Sequence, residues 1–284
     1  VQFIFFEFLL GGKKEMKKIV LGVAVASLAL ALGASTSFAK KKGYAEGAAG
    51  AGSISGSVML KGDAMAPIME DLSKGKNVEF CSTHPDAKDG IRPRVKVSAA
   101  GGKLKDAVVF IENIDAGKPW GDAGKMVFDF QLCDVVQKMG VVRKPSKAEK
   151  KAGGMVKIIN QDADTLHNPH GYSVVGASRK TLFNKPLPSK GDVADVTKNI
   201  ARLKQKKDKH FFLQCDQHNY MEADARIVWN PYYAITGADG SFKIDGVPAG
   251  KYKVTAWQPY VGETTMEVTV GAGEAKADFT LAAK

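Results

Sequence analysis

Beyond residue 53 the chain is written in short apolar runs, many alternating with polar residues at a period of two. Each run is closed by Gly, Asn, Asp or Pro, which is the pattern of β-strands joined by tight turns. Strands are expected at Ile54–Leu60, Val95–Val97, Ala107–Glu112, Lys125–Leu132, Val156–Ile159, His210–Cys215 and Ala223–Trp229. The tail is the cleanest case. Tyr232–Thr236, Ser241–Asp245, Lys251–Trp257, Thr264–Val270 and Ala275–Leu281 are separated by turn sequences such as Gly237-Ala238-Asp239-Gly240 and Pro248-Ala249-Gly250. Turn signals every eight to twelve residues indicate a β-sandwich. Two stretches carry a weaker helical pattern, Ala64–Lys74 and Asp192–Lys207, the latter with Asp192 available as a cap. The expected class is all-β.

The start of the chain follows a different rule. Met16-Lys17-Lys18 opens a charged segment, Ile19–Leu32 is apolar, and Ser37-Phe38-Ala39 supplies small residues, as in a secretory signal peptide over 16–39. Residues 1–15 have no role in that pattern and read as mis-called upstream sequence. A single membrane anchor is the rival reading, but Lys13, Lys14, Lys17 and Lys18 interrupt the stretch, and a charge at mid-membrane costs roughly 2.5–3.5 kcal/mol. Residues 40–53, rich in Gly, Ala and Lys, form an expected flexible linker. The expected location is therefore periplasmic or otherwise extracytoplasmic.

Charge adds a little to this. The formal net charge is +11, and removing residues 1–39 takes away four Lys and two Glu, leaving +9. The positive charge concentrates in Lys144–Lys151 and Arg202–Lys209. Such runs suit an acidic protein partner or an anionic envelope surface, and equally a solvated loop. An exported chain is not expected to meet nucleic acid. Three cysteines, Cys81, Cys133 and Cys215, in an oxidising compartment permit one disulfide and one remaining thiol.

The chemistry concentrates in Cys215-Asp216-Gln217-His218-Asn219-Tyr220-Met221. A thiolate, an imidazole and a thioether within seven residues, completed by a second His from another strand, is the donor set of a trigonal copper site with a weak axial Met. His167-Asn168-Pro169-His170 supplies that second His, expected at the extended end of Val156–Asn160. Asn168 is placed to hold the ligand loop. A C-x2-H pair alone is more often incidental, but the Met three residues further on and the flanking strands strengthen the metal reading. Two alternatives remain. Zinc could take Cys215, His218, His167 and His170. A catalytic Cys–His pair could use Asp216 as its orienting acid, although no other hydrolase signature is present and an enzyme is not expected. His84 and His210 have no assigned role and read as surface histidines.

HNPH paired with CDQHNYM resembles the cupredoxins, above all the amicyanin and pseudoazurin type, over roughly residues 122–230. The resemblance implies a Greek-key β-sandwich with one type 1 copper per chain, held by His167, Cys215, His218 and Met221. Asn219-Tyr220 departs from the Pro-containing stretch usual in that loop, and the segment between His170 and Cys215 is longer than a minimal cupredoxin needs. The tail from Ala234 to Trp257 is similar to carboxypeptidase-regulatory-like domains, which are transthyretin-like β-sandwiches and usually non-catalytic. Gly56–Val58 and Leu104–Phe110 resemble the opening strands of the same domain. Residues 54–118 and 231–284 are then one sandwich and 119–230 a cupredoxin-like domain inserted in it, with tandem domains as the other arrangement. On this reading a Cys81–Cys133 bridge would tie the two together, worth roughly 4 kcal/mol by loop entropy; two separate buried thiols are the other outcome.

These readings imply an exported one-electron carrier that docks through its basic loops on an acidic redox protein such as a c-type cytochrome. The competing expectation is a copper-storage or envelope-binding β-sandwich module with no electron-transfer role. A third is a fold of this kind that no longer holds copper.

Overall fold

The computed structural model describes residues 43–205 and 207–283. The expected upstream segment, signal peptide and first residues of the linker lie outside the described residues. Among the described residues no helix is long and apolar enough to cross a membrane. Those residues are all-β apart from three short helices and one 3-10 turn.

A central sandwich is built from two sheets. One orders Asp134–Val135, Met126–Gln131, Val156–Asn160 and Val193–Asp195 side by side. The other orders Met139–Val142, Glu222–Ile227, His210–Cys215, Pro169–Val175 and Ser178–Asn184. Their inner faces enclose one core in which Phe128, Ile158 and Phe211 are fully buried, and the rings of Phe128 and Phe211 stack at 6.0 Å. A flanking sandwich is built around Gly52–Lys61, which pairs with Ser241–Val247, Lys103–Leu104, Glu274–Lys276 and Phe279–Ala282. Its second sheet runs Tyr233–Ile235, Val108–Ile111, Gly250–Gln258 and Gly262–Val270. Ile54, Val109, Tyr232, Val254 and Phe279 fill its core. Leu72 and Cys81 pack into the central core instead.

Val108-Val109-Phe110-Ile111 is an unbroken apolar run because both of its faces are covered. Val109 and Ile111 face the flanking core, while Val108 and Phe110 meet Val141, Val228 and Trp257 between the sandwiches. Glu222–Ile227 is buried at every position for the same reason. Ala223, Ala225 and Ile227 enter the central core. Glu222, Asp224 and Arg226 point the other way and are buried in pairs. Glu222 takes Arg94 at 2.9 Å and also Lys96. Asp224 takes His210 at 2.6 Å and the Tyr260 hydroxyl at 2.8 Å. Arg226 pairs with Glu263 at 3.1 Å and lies over the rings of Phe110 and Trp257 at 4.4 and 5.2 Å. The alternation of Ala223–Trp229, which in sequence marks an exposed polar face, here marks a polar face closed by the other sandwich. His210 is accordingly an interface residue, packed against Trp257 at 5.2 Å, and not a surface one. His84 is partly buried, with Nε2 3.7 Å from Asp134.

Several expected elements differ. Ala64–Lys74 is not a helix: Ile68–Asp71 is a strand paired with Ile91–Arg94, and Leu72–Lys74 is a single 3-10 turn capped by Asp71. Leu72 is its one buried residue, so there is no apolar stripe for a helix to bury. The strand expected at Val95–Val97 falls at Ile91–Arg94, hidden in sequence because Arg92, its buried position, is held by Asp134 at 2.6 Å. Among the described residues of Asp192–Lys207, the helix is Thr197–Ile200. Asp192 accepts from the Ser189 N–H instead of capping, and Val193–Asp195 continues the sheet beside Val156–Asn160. The helix Lys147–Ala152 was signalled by Ser146 and Glu149, which form a reciprocal capping box. The hairpin of Pro169–Val175 and Ser178–Asn184 is weakly patterned because its second strand is an edge, exposed from Ser178 to Thr181. Within it, a Cβ on Gly171 would lie 2.2 Å from the Phe183 ring, so that ring occupies the space of a side chain.

Phe211 bridges the two sheets of the central core. Phe211→Ala should lower stability by about 3–5 kcal/mol, seen as a lower urea midpoint with an unchanged slope.

Candidate metal centre

Cys215 ends the strand His210–Cys215, where it lies opposite Pro169 of the neighbouring strand. That register places His167, two residues before Pro169, beside the thiol. His167 is thus positioned by the approach to Pro169–Val175 and by a two-way backbone bridge to Leu187, at 3.1 and 2.8 Å. It is not carried on the end of Val156–Asn160 as the sequence suggested. Asn160 still contributes: its fully buried amide donates to the carbonyls of Thr165 and Leu187 and so pins the intervening loop.

After Cys215 the chain turns tightly. The Cys215 N–H donates to the Met221 carbonyl at 3.0 Å, and the Met221 N–H donates to the His218 carbonyl at 2.9 Å. The loop therefore closes on itself, with Met221 fully buried at its end. His167 Nδ1 stands 3.7 Å and His218 Nδ1 3.8 Å from Cys215 Sγ. One donor atom from each of the three lies within 4.8 Å of the others. The Asn168 N–H donates to the same sulfur at 3.3 Å, and the Asn168 carbonyl accepts from the Asp216 N–H at 3.0 Å, which joins the two ligand loops.

Asp162 is the support that sequence reasoning did not single out. Its carboxylate accepts from the Leu132 and Cys133 N–H groups at 2.6 and 2.9 Å and contacts His167 Nε2 at 2.8 Å. A carboxylate on Nε2 fixes an imidazole proton there and turns Nδ1 toward the sulfur. The two donating residues have φ of +52° and +51°, the left-handed region that aims successive N–H groups at one anion. The signal in sequence was an Asp five residues before the His, which spacing alone does not mark.

The electrostatics follow from these contacts. Burial pushes the Cys215 thiol up, but His167, His218 and the Asn168 N–H outweigh it and bring its pKa down to about 6. Burial lowers His167, yet Asp162 and Cys215 raise it above the ordinary imidazole value. Asp162, opposed by burial, is held below the usual carboxylate range by His167 and the two backbone N–H groups. The donor set is one soft sulfur and two imidazole nitrogens, buried and with the thiol biased toward its ionised form. That set fits a copper ion.

The other two expectations fare differently. His170 bonds Asp216 at 3.2 Å and Thr181 at 3.0 Å, away from the other donors, so the four-ligand zinc set does not form. Asp216 is occupied by His170 and Asn184; the acid that orients a ring beside the thiol is Asp162, and Cys215, His167 and Asp162 are all buried. Cys81 and Cys133 form a disulfide with Cα atoms 5.2 Å apart. The two histidine donors are closed off from solvent. His167 is fully buried and His218 is 1% exposed. The segment around Lys76–Cys81 lies against this end of the site, with Lys76 bonded to Gln217 at 2.6 Å and Cys81 brought close to His218.

Comparisons with known proteins are distant. The family model for polysaccharide lyase family 4, domain II, matches residues 230–277. None of the curated proteins matches the chain. Among solved structures, a reduced Cu(I) form of a mutant amicyanin is 15% identical, covering 37% of this chain and 83% of that one at a TM-score of 0.23. A second amicyanin mutant in its reduced state is 16% identical over the same shares, at 0.24. A copper-containing nitrite reductase from Thermus scotoductus SA-01 is 15% identical, covering 46% of this chain and 25% of that one, at 0.25. At these scores the likenesses carry no argument about role; the donor geometry does.

In the metal-free protein, ultraviolet thiolate absorbance should persist at neutral pH and vanish as pH falls through about 6. A depressed acid contributes stability that is complete above its ordinary value of 9.0 and is lost as pH falls through the folded one. Asp162→Asn weakens the charged His167 and should move the absorbance midpoint upward.

Proposed function

We propose that this chain is an exported copper protein that passes single electrons, in which His167, Cys215, His218 and Met221 would hold the ion. The convergence of two imidazole nitrogens on one buried, acidified thiol is the observation that carries the reading. Copper held there would supply one-electron exchange between its two oxidation states. The chain's own residues do the rest. Cys215 is anchored by the sheet, Asp162 fixes the proton of His167 on the far nitrogen, and the burial of all three donors keeps water out. The disulfide supports export, since such bonds persist in oxidising compartments. No catalytic arrangement is included in this reading.

The basic runs are not beside the site. Cys215 pairs with Pro169, whereas His210 pairs with Arg226 and Val142 with Ile227. Lys144 and Lys204, which share one cleft with Lys207 and Trp229, therefore sit toward the His210 end of that strand. Lys209 and Cys215 are roughly 20 Å apart at about 3.3 Å per residue. An acidic partner such as a c-type cytochrome would be drawn by the basic face but exchange electrons over residues 216–219, where Asp216 and Asn219 are exposed.

A second reading is favoured by one observation. Both histidine ligands are closed off from solvent, as suits a copper-holding or envelope-binding module without electron transfer. Redox cycling separates the two: a carrier retains copper when reduced, whereas a store releases it to a Cu(I) chelator.

Copper titration of the full chain should give an intense visible band at one copper per chain, bleached by ascorbate and restored by ferricyanide. Cys215→Ser should abolish the band, and a wild-type chain without it would sink the proposal. Asp162→Asn should weaken copper(II) affinity by roughly 10–100-fold. Neutralising Lys204 and Lys207 should flatten the dependence of exchange rate on ionic strength.

A further inference from the structure

We propose that Cys81 and Cys133, once their disulfide is reduced, form with His218 a second, thiol-dependent site for copper(I). The proposal deepens the copper reading, but Cys215 is not one of its donors.

The geometry is already present. The two sulfur atoms and one ring nitrogen of His218 lie within 4.8 Å of one another. Cys81, Cys133 and His218 are 1%, 0% and 1% exposed. His218 uses one face of its ring for the first site, with Nδ1 toward Cys215, while Nε2 is buried with no hydrogen-bond partner among the described residues. A buried ring nitrogen without a partner is costly and asks for a reason. A ligand role supplies one.

Both cysteines are also held by contacts other than the bond between them. Cys81 lies in a short helix, with its N–H on the Asn77 carbonyl. Cys133 donates its N–H to Asp162, and its carbonyl accepts from Arg92 Nη1 at 2.8 Å. Cleaving the disulfide therefore leaves the two backbones in place, while the sulfur atoms separate from bonding to contact distance by rotation of the side chains, which opens room for an ion between them. Three soft or borderline donors in a dry setting suit copper(I), whereas structural zinc takes four.

The chemistry balances with an external dithiol as reductant. Two electrons and two protons pass to the sulfur atoms, the S–S bond breaks, and the dithiol becomes its own disulfide. Copper(I) then displaces the thiol protons to solvent. In the oxidised form the pair is an inert wall of the first site; in the reduced form it is a second donor set sharing His218.

The test uses the full chain carrying Cys215→Ser, which removes the first site's thiolate. Copper(I) is supplied with a chromogenic copper(I) chelator as competitor, before and after reduction by a phosphine and anaerobic desalting. Circular dichroism checks the fold in each state. The oxidised form should leave the metal on the chelator; the reduced form should withdraw one equivalent and lose that ability with His218→Ala. A reduced, folded protein that withdraws nothing, or one whose uptake survives His218→Ala, overturns the proposal. Should Cys215→Ser fail to fold, the wild type serves: reduction should add uptake that Cys81→Ser/Cys133→Ser lacks, and no added uptake overturns it. Failure of the first site shows separately, as an oxidised wild type that takes no copper.

Discussion

A carboxylate with almost no solvent exposure is tolerated only where every lone pair has a use, and Asp162 meets that condition three ways. It receives two backbone N–H groups from a left-handed pair of residues and one imidazole N–H from His167. One of those backbone donors belongs to a disulfide cysteine. Asp162 therefore joins the cross-link, the loop that carries His167 and the ionisation of Cys215 into one electrostatic unit. Without it the buried imidazole would favour its neutral form, the thiol would lose its strongest counter-charge, and the three donors would have no reason to be polarised toward a cation.

The ligand loop was legible because its chemistry is local. Cys215, His218 and Met221 lie within one turn, and a strand on either side fixes their spacing. His167 was legible as a residue but not as a position, since register between strands distant in sequence is not written in either strand alone. Its carrier proved to be the approach to Pro169–Val175, a hairpin whose exposed edge suppresses alternation. Asp162 escaped notice because support for a ligand depends on backbone groups at Leu132 and Cys133 that composition does not reveal. The closure of His218 escaped for a related reason: the covering residues come from around Lys76–Cys81, over a hundred positions earlier.

The strands of the tail were readable, as apolar alternation and Gly-rich turns point the same way, except that the one strand expected at Ala275–Leu281 is two, Glu274–Lys276 and Phe279–Ala282. The misread helices have different causes. Leu72 is the single buried residue of the 3-10 turn in Ala64–Lys74, whereas Asp192–Lys207 buries Val196, Ile200 and Leu203 but gives its first residues to strand pairing with Val156–Asn160. Burial of charge was the other blind spot. Arg92, Glu222, Asp224 and Arg226 look like surface in sequence and are interior because each finds a charged or polar partner, Asp224 and Arg226 doing so across the join.

Those paired charges have a consequence for the order in which the molecule can be made. Glu222–Ile227 has no outer face of its own: its second side is completed by Tyr260 and Glu263, and Gly52–Lys61 waits for Ser241–Val247 and Phe279–Ala282. The first long strand of the described chain thus pairs with the last. A growing polypeptide cannot finish the flanking sandwich, or cover the outer side of Glu222–Ile227, until nearly all of it has emerged. Closure over the buried charges of Glu222–Ile227 is in this sense a late event, reserved for chains whose tail has already arrived.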